Sequence, residues 1–330
     1  MKKEIPSNKP RWGRILWWLL FGAVAVSGVA CGGGIWLKAE MEEGFYRALA
    51  VRKEESLKDW EGVLITGGAA SDYVADRCFF LVHFNGVTFP DDFDLDQVVV
   101  NFIPMASKRF PYGRVEFNER QSDDSGVINE ENQETTQVGG GGGTATPITQ
   151  DGYFLTNAHV VDEEDAVFYL WGHTDKGMSL SKARVVWKGD HGHNDLPDLA
   201  LLHADVRPKG HFPFERGELP PVGDRIITGG YGGLTPDQSG GKMLIHGIWR
   251  KWDNDARWRA FVHDAALHPG DSGGPVTSRD GELVGINSQL FGGLRWPRGR
   301  LENYRARALQ PDPEWLSRLI AADRAAKTRE

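Results

Sequence analysis

One serine of the 330-residue sequence, Ser272, stands in "HPGDSGGP" between an aspartate and two glycines, with a third glycine at 270. Glycine loses the most backbone freedom on folding, so three around one hydroxyl point to a turn bent for close approach. A serine hydroxyl is a weak nucleophile at neutral pH and needs a base within hydrogen-bond reach. Histidine is the usual base, and ten are present. His159 is singled out by its setting, because the apolar strand of "GYFLTNAHVV" delivers it at a strand end. A carboxylate that fixes the imidazole tautomer would complete the set. Asp198 opens the otherwise apolar "DLALL"; Asp195, in "HNDLPDLALL", competes but is cut off from the strand by Leu196 and Pro197. Each residue alone also reads as structural, His159 as a strand-end histidine and Asp198 as a strand-edge charge. Only the three together suggest chemistry.

Other candidate ligands lead nowhere. His191 and His193 in "HGHND" lack a further ligand at standard spacing, so a polar loop is expected and no metal. "DDFDLD", Asp91 to Asp96, lacks the glycine and terminal glutamate of an EF-hand loop and reads as a solvated acidic turn. No cofactor is expected.

The elements that must position these residues follow from texture. Residues 15–37, "ILWWLLFGAVAVSGVACGGGIWL", carry no charge and are long enough to cross a bilayer as a helix. Basic residues precede the stretch and "KAEMEEGF" follows it, which puts residues 1–14 in the cytoplasm and the rest outside. A cleaved signal or lipoprotein peptide ending near "GVAC" is the rival reading. Met41, Phe45, Leu49 and Trp60 recur at roughly helical spacing, giving a juxtamembrane helix over 38–60 or a plain solvated spacer. Residues 61–111 consist of short apolar runs between Gly, Pro and Asp, and read as a β-rich accessory region. Cys78, in one run, reads as a buried small hydrophobe. A polar, acidic and glycine-rich stretch at 119–143 reads as a mobile loop. Short strands resume from Thr144, and 310–330 read as a terminal helix with Trp315, Leu316, Leu319 and Ile320 on one face. With two cysteines the fold cannot rest on a disulfide framework, and a net charge of -8 argues against a nucleic-acid partner.

"LTNAHVV", "DLALL" and "GDSGGP", in that order, resemble the chymotrypsin/trypsin-like serine proteases, closest to the bacterial HtrA (DegP-type) branch. The order His, Asp, Ser separates them from subtilisins and α/β-hydrolases. The resemblance runs from about Gly143 to Gly293. It implies an all-β fold of two six-stranded Greek-key barrels, here over 112–309, with Val115 to Phe117 as a possible first strand. It implies that Ser272 is the nucleophile, His159 the base and Asp198 its partner, with the N–H groups of Gly270 and Ser272 as the oxyanion hole. Asp271 would anchor the turn from inside, and Gly273 and Gly274 would let the chain pack behind the nucleophile. Ser288 matches the serine that supports the aspartate, and reads equally as a plain strand serine. No activation sequence precedes "GGGGGTATPI", and the residues after Leu290 are too few for the PDZ domain usual in the HtrA branch.

The resemblance also places the primary pocket. Ala266 falls where trypsin-type enzymes carry an aspartate, and Ser288, Gln289 and Leu290 form the opposite wall. An uncharged, narrowed slot predicts cleavage after small aliphatic residues. The expected function is a membrane-anchored endopeptidase acting on polypeptides, held in the inner membrane with its catalytic domain on the periplasmic or extracellular side. The alternative is a protease fold kept as a binding module without turnover.

Overall fold

The computed structural model describes residues 44–83 apart from 46, 66, 67 and 71, the strands at 98–104, 113–119 and 136–138, and residues 142–328 apart from 192–195, 215–217, 233–235, 253–255 and 296–299. The apolar stretch 15–37, the turn Asp91 to Asp96, Asp195 and His193 lie outside these residues. Among the described residues no helix is long and apolar enough to cross a membrane.

A helix at 47–57 (α1) and a 3-10 turn at Lys58–Trp60 come first, then a small hairpin of β1 (Leu64–Ile65) and β2 (Gly68–Ala69). α1 is docked on protein and is no free spacer: Leu49 and Trp60 are both fully buried. The next strand, β3 (Phe79–His83), corrects the expected domain boundary. It belongs to the first of two closed six-stranded barrels. That barrel also contains β7 (Gly142–Pro147), β8 (Tyr153–Thr156), β9 (Phe168–Thr174), β10 (Gly177–Lys188) and β11 (Ala200–Ala204), in the order β10-β11-β8-β7-β3-β9. β3 pairs antiparallel with β7 on one side and β9 on the other. Val115 to Phe117 are therefore not its first strand. They lie in β5 (Gly113–Glu119), the middle of a separate sheet with β4 (Val98–Pro104) and β6 (Thr136–Val138). The segment 84–141 is an insertion between β3 and β7, and 61–111 is not one accessory unit.

Burial on two faces explains why Phe79 to Val82 of β3 and Leu199 to Leu202 of "DLALL" are apolar without alternation. Side chains alternate across a strand. Phe79 and Leu81 fill the barrel interior with Phe154, Leu170, Ala200 and Leu202. Phe80 and Val82 face the other way, into a cluster that takes Tyr153 and Leu201 from the first barrel and Ile227, Tyr231, Ile286 and Leu309 from the second. Cys78 is fully buried in that cluster, as expected.

The second closed barrel comprises β12 (Arg225–Gly230), β13 (Asp237–Lys251), β14 (Arg257–His263), β15 (Pro275–Thr277), β16 (Leu283–Arg295) and β17 (Arg300–Pro311), in the order β12-β13-β14-β17-β16-β15. Ile226, Met243, Phe261, Val276 and Val284 fill it. The final helix, α2 (Pro313–Lys327), starts with Asp312 as its cap, which accepts from the N–H of Glu314 at 3.0 Å and of Trp315 at 3.2 Å. Leu316 and Ile320 are buried, on the apolar face expected from the sequence. α2 returns to the first barrel. Asp323 accepts from Tyr153 Oη at 2.8 Å and pairs with Arg184, Arg324 pairs with Asp151 at 2.7 Å, and Lys327 with Asp205 at 3.0 Å.

Candidate active site

β8 ends at Thr156, and the extended backbone of Asn157 leads on into a 3-10 turn, Ala158–Val161. Asn157 is fully buried and its Nδ2 donates to the Asp198 carbonyl at 2.8 Å, tying that turn to the start of β11. His159 is thereby brought to Asp198. Its backbone N–H donates to Asp198 Oδ1 at 3.0 Å, and its Nδ1 lies 2.9 Å from Oδ2 and 3.1 Å from Oδ1. A carboxylate only accepts, so Nδ1 carries the hydrogen and the neutral ring keeps its lone pair on Nε2. Ser288 Oγ donates to Asp198 Oδ2 at 2.7 Å, which favours the supporting role over that of a plain strand serine. Asp198 is only 4% exposed. Burial alone would raise its pKa, but the hydrogen bonds from His159 and Ser288, with the attraction of the imidazole when it is protonated, outweigh that and hold the carboxyl below its ordinary range.

The turn carrying Ser272 is gripped from two sides. From β7, Thr144 N–H donates to the Ser272 carbonyl at 2.8 Å, Thr144 Oγ1 to the Gly270 carbonyl at 2.6 Å, and Thr146 Oγ1 to the Gly273 carbonyl at 2.8 Å. From inside, fully buried Asp271 accepts from Gly232 N–H at 2.9 Å and from His268 N–H at 2.7 Å. Gly270 and Gly273 take φ of 102° and 85°, the left-handed side that suits glycine. A Cβ at Gly273 would stand 2.0 Å from the Thr144 carbonyl oxygen, so close packing against the first barrel also requires its absence.

The backbone N–H groups of Asp271, Gly273 and Gly274 are all spent on carbonyls within or beside the turn. Those of Gly270 and Ser272 donate to no acceptor among the described residues. Two unspent donors flanking a hydroxyl can bind an oxyanion. Among the described residues no hydrogen bond joins Ser272 Oγ to His159, a contact that often tightens only when substrate is bound.

Sequence reasoning dismissed His191, yet its Nδ1 lies 3.3 Å from Asp198 Oδ2 and its ring centroid 5.0 Å from that of His159. His159, His191 and Asp198 bring potential ligand atoms within 4.8 Å of one another. The Asp198 oxygens are already engaged by His159 and Ser288, so the grouping reads as part of that hydrogen-bonded network.

A cleft of 440 Å³ opens beside Ser272, with Ser288, Gln289 and Leu290 in its wall. Leu267, His268 and Pro269 form another part of the lining, and Phe291 extends it. Ala266 corrects the pocket assignment. It is fully buried against Leu49 of α1 and Tyr304 and is not among the lining residues. Thr144, Thr146, Asn157 and Phe291 went unnoticed in the sequence. The alternation of small and hydroxylated residues in "GTATP" is the signal that two threonines share one face of β7.

Comparison with known proteins agrees with this geometry. Residues 143–286 match the family model of the trypsin-like peptidase domain. A probable periplasmic serine endoprotease, DegP-like, from Halomonas elongata is 33% identical over 150 residues, 45% of this chain and 29% of that protein. A protein of the same description from Pseudomonas putida is 32% identical over 152 residues, again 45% and 29%. The chain thus spans under a third of the length of these relatives. A solved HtrA-type protease, AlgW with decapeptide, gives a TM-score of 0.48 at 22% identity, over 76% of this chain and 66% of that one. The two barrels, the chain order of His159, Asp198 and Ser272 and the family match point the same way: residues 143–286 are similar to the trypsin-like peptidase domain and, in sequence, to the DegP-like serine endoproteases.

Proposed function

We propose that the protein is a serine endopeptidase that hydrolyses polypeptides through Ser272, His159 and Asp198. The observation that carries the reading is the bonded chain Ser288–Asp198–His159 beside a turn whose two unspent N–H groups flank Ser272. In the reaction, His159 Nε2 takes the Ser272 hydroxyl proton as Oγ attacks the peptide carbonyl. The oxyanion so formed accepts from Gly270 and Ser272 N–H. His159 then returns the proton to the leaving amine, and water hydrolyses the acyl-enzyme by the same steps. Asp198 holds the imidazole tautomer and balances the imidazolium charge.

A protease fold kept as a binding module without turnover is the second reading, favoured by the absence of a Ser272 Oγ–His159 hydrogen bond among the described residues. A fluorophosphonate probe separates the two, since only an activated serine forms the covalent adduct. Labelling at Ser272 is expected, and a peptide library should be cut after Ala, Val or similarly small aliphatic residues. Leu290 and Phe291, 36% and 47% exposed, offer the cleft apolar and uncharged walls. A buried cation there would find only Asp271, whose carboxylate is already engaged by Lys53 and two backbone N–H groups. Discrimination by one or two methylenes is only about 10–200-fold, so the preference should be leaky. Cleavage mainly after Lys, Arg, Phe or Tyr overturns the pocket assignment.

The uncharged stretch 15–37 supports an anchor in the bacterial inner membrane, with the barrels on the periplasmic or outer side. The description of the relatives as periplasmic agrees with that side. Alkaline phosphatase fused after Gly293 should be active in a bacterial host; activity from a cytoplasmic reporter instead reverses the orientation.

A further inference from the structure

The buried carboxylate of Asp271 has a partner that the peptidase mechanism leaves unexplained. Lys53, on α1, reaches into the second barrel and is itself only 5% exposed. Its Nζ donates to Asp271 Oδ2 at 2.9 Å and to Asp237 Oδ1 at 2.6 Å. A fully buried carboxylate beside the nucleophile is costly unless paired, and removing one partner of such a pair leaves an uncompensated charge. Lys53 carries the opposing charge for Asp271 from 218 positions away in the chain.

The rest of α1 fits the same loop. Arg52 Nη2 donates to the Asp264 carbonyl at 2.8 Å, and Leu49 packs on Ala266 and Tyr304. Tyr304 Oη in turn accepts from Leu267 N–H at 2.6 Å. Leu49, Arg52, Lys53 and Ser56 follow the spacing of one helix face. That face therefore meets the segment running from Asp264 to Asp271, which builds part of the cleft wall and ends at Ser272.

We infer that Lys53 is a positioning residue for the proposed peptidase reaction: by holding Asp271 it fixes the turn that offers the Gly270 and Ser272 N–H groups, so that oxyanion binding requires α1 to be docked. Asp271 itself spends one oxygen on Gly232 N–H and the other on His268 N–H and Lys53. Without the ammonium, the carboxylate either takes up a proton or swings toward water, and either change loosens its hold on the two N–H groups. Two carboxylates on one ammonium keep Lys53 charged, its pKa raised despite the opposing effect of burial. The inference rests on the peptidase reading for its kinetic consequence, but the ordering of the turn can be read without turnover.

The test uses the 330-residue chain in detergent, comparing the wild type, Lys53→Met and the double variant Lys53→Met/Asp271→Asn. Methionine keeps much of the stem and its packing while deleting the charge. Lys53→Met is expected to lower kcat about 10²–10³-fold with KM little changed, the loss typical of a removed oxyanion donor. Amide exchange at Asp271, Gly273 and Gly274 should quicken while the β12 and β16 amides stay protected. The double variant removes the buried charge at 271, leaves Asp237 partly open to water, and keeps one amide oxygen to accept from Gly232 or His268 N–H. It should recover at least tenfold in kcat and slow that exchange in part. Wild-type exchange at the turn in Lys53→Met overturns the inference, as does a double variant no better than the single one. An inactive wild type whose turn amides respond as described leaves the positioning role standing and removes the peptidase reading instead.

Discussion

Ser272→Ala should reduce hydrolysis of casein to background, a loss in kcat on the order of 10⁶, and His159→Ala should do nearly the same. The two fall together because neither acts without the other: the hydroxyl is inert without a base, and the base has nothing to deprotonate. Asp198→Asn should be milder, roughly 10⁴ in kcat. An amide at that place can donate to Nδ1, which moves the ring hydrogen to Nε2 and removes the lone pair facing Ser272. All three variants should retain the fold, because Asn157, Thr144 and Thr146 hold the same turns through bonds that the substitutions leave in place. Wild-type casein turnover by Ser272→Ala would show that another group carries the reaction.

Gly270→Ala should be the most damaging of the conservative changes outside the triad, at about 10²–10³ in kcat. The residue sits at φ 102°, where an L side chain is strained, and the new Cβ would stand 2.4 Å from the Tyr231 carbonyl oxygen. That oxygen belongs to backbone, so the turn must shift, and the Gly270 N–H shifts with it. Gly177 supplies the control. It has a similar φ of 109° in the β9–β10 hairpin, but a Cβ there would meet nothing within 4 Å. Gly177→Ala should carry the strain without the kinetic effect. Equal kcat losses in the two variants would show that the damage is general destabilisation and not displacement of a donor.

The proposed triad was legible because each member is announced by its own short stretch: an apolar strand leading to His159, an apolar strand following Asp198, a glycine-rich turn around Ser272. The first barrel was harder to read. "CFFLVHF" has the apolar density of a strand buried on both faces, but nothing local says that its partners begin at 142 and 168. The insertion at 84–141 put enough sequence between them to suggest a separate region. Lys53 was missed for a different reason. A lysine in a charged stretch normally reads as solvated, and only the helical spacing with Leu49 and Ser56 marks it as facing inward. Ala266 failed because its assignment came from distance to Ser272 along the chain, and the packing of Leu49 and Tyr304 behind it was invisible in one sequence.

His159 and Asp198 ride on the first barrel and Ser272 on the second, so the proton of the proposed reaction must cross between two separately built units. Their separation is subject to thermal swing, and a misplacement of about 1 Å can cost a factor of 10² in rate. α2 leaves the second barrel at Pro311 and is fastened to the first through Tyr153, Arg184, Asp151 and Asp205. It works as a brace across a hinge. Its contribution is stiffness, narrowing the range of distances that His159 and Ser272 sample.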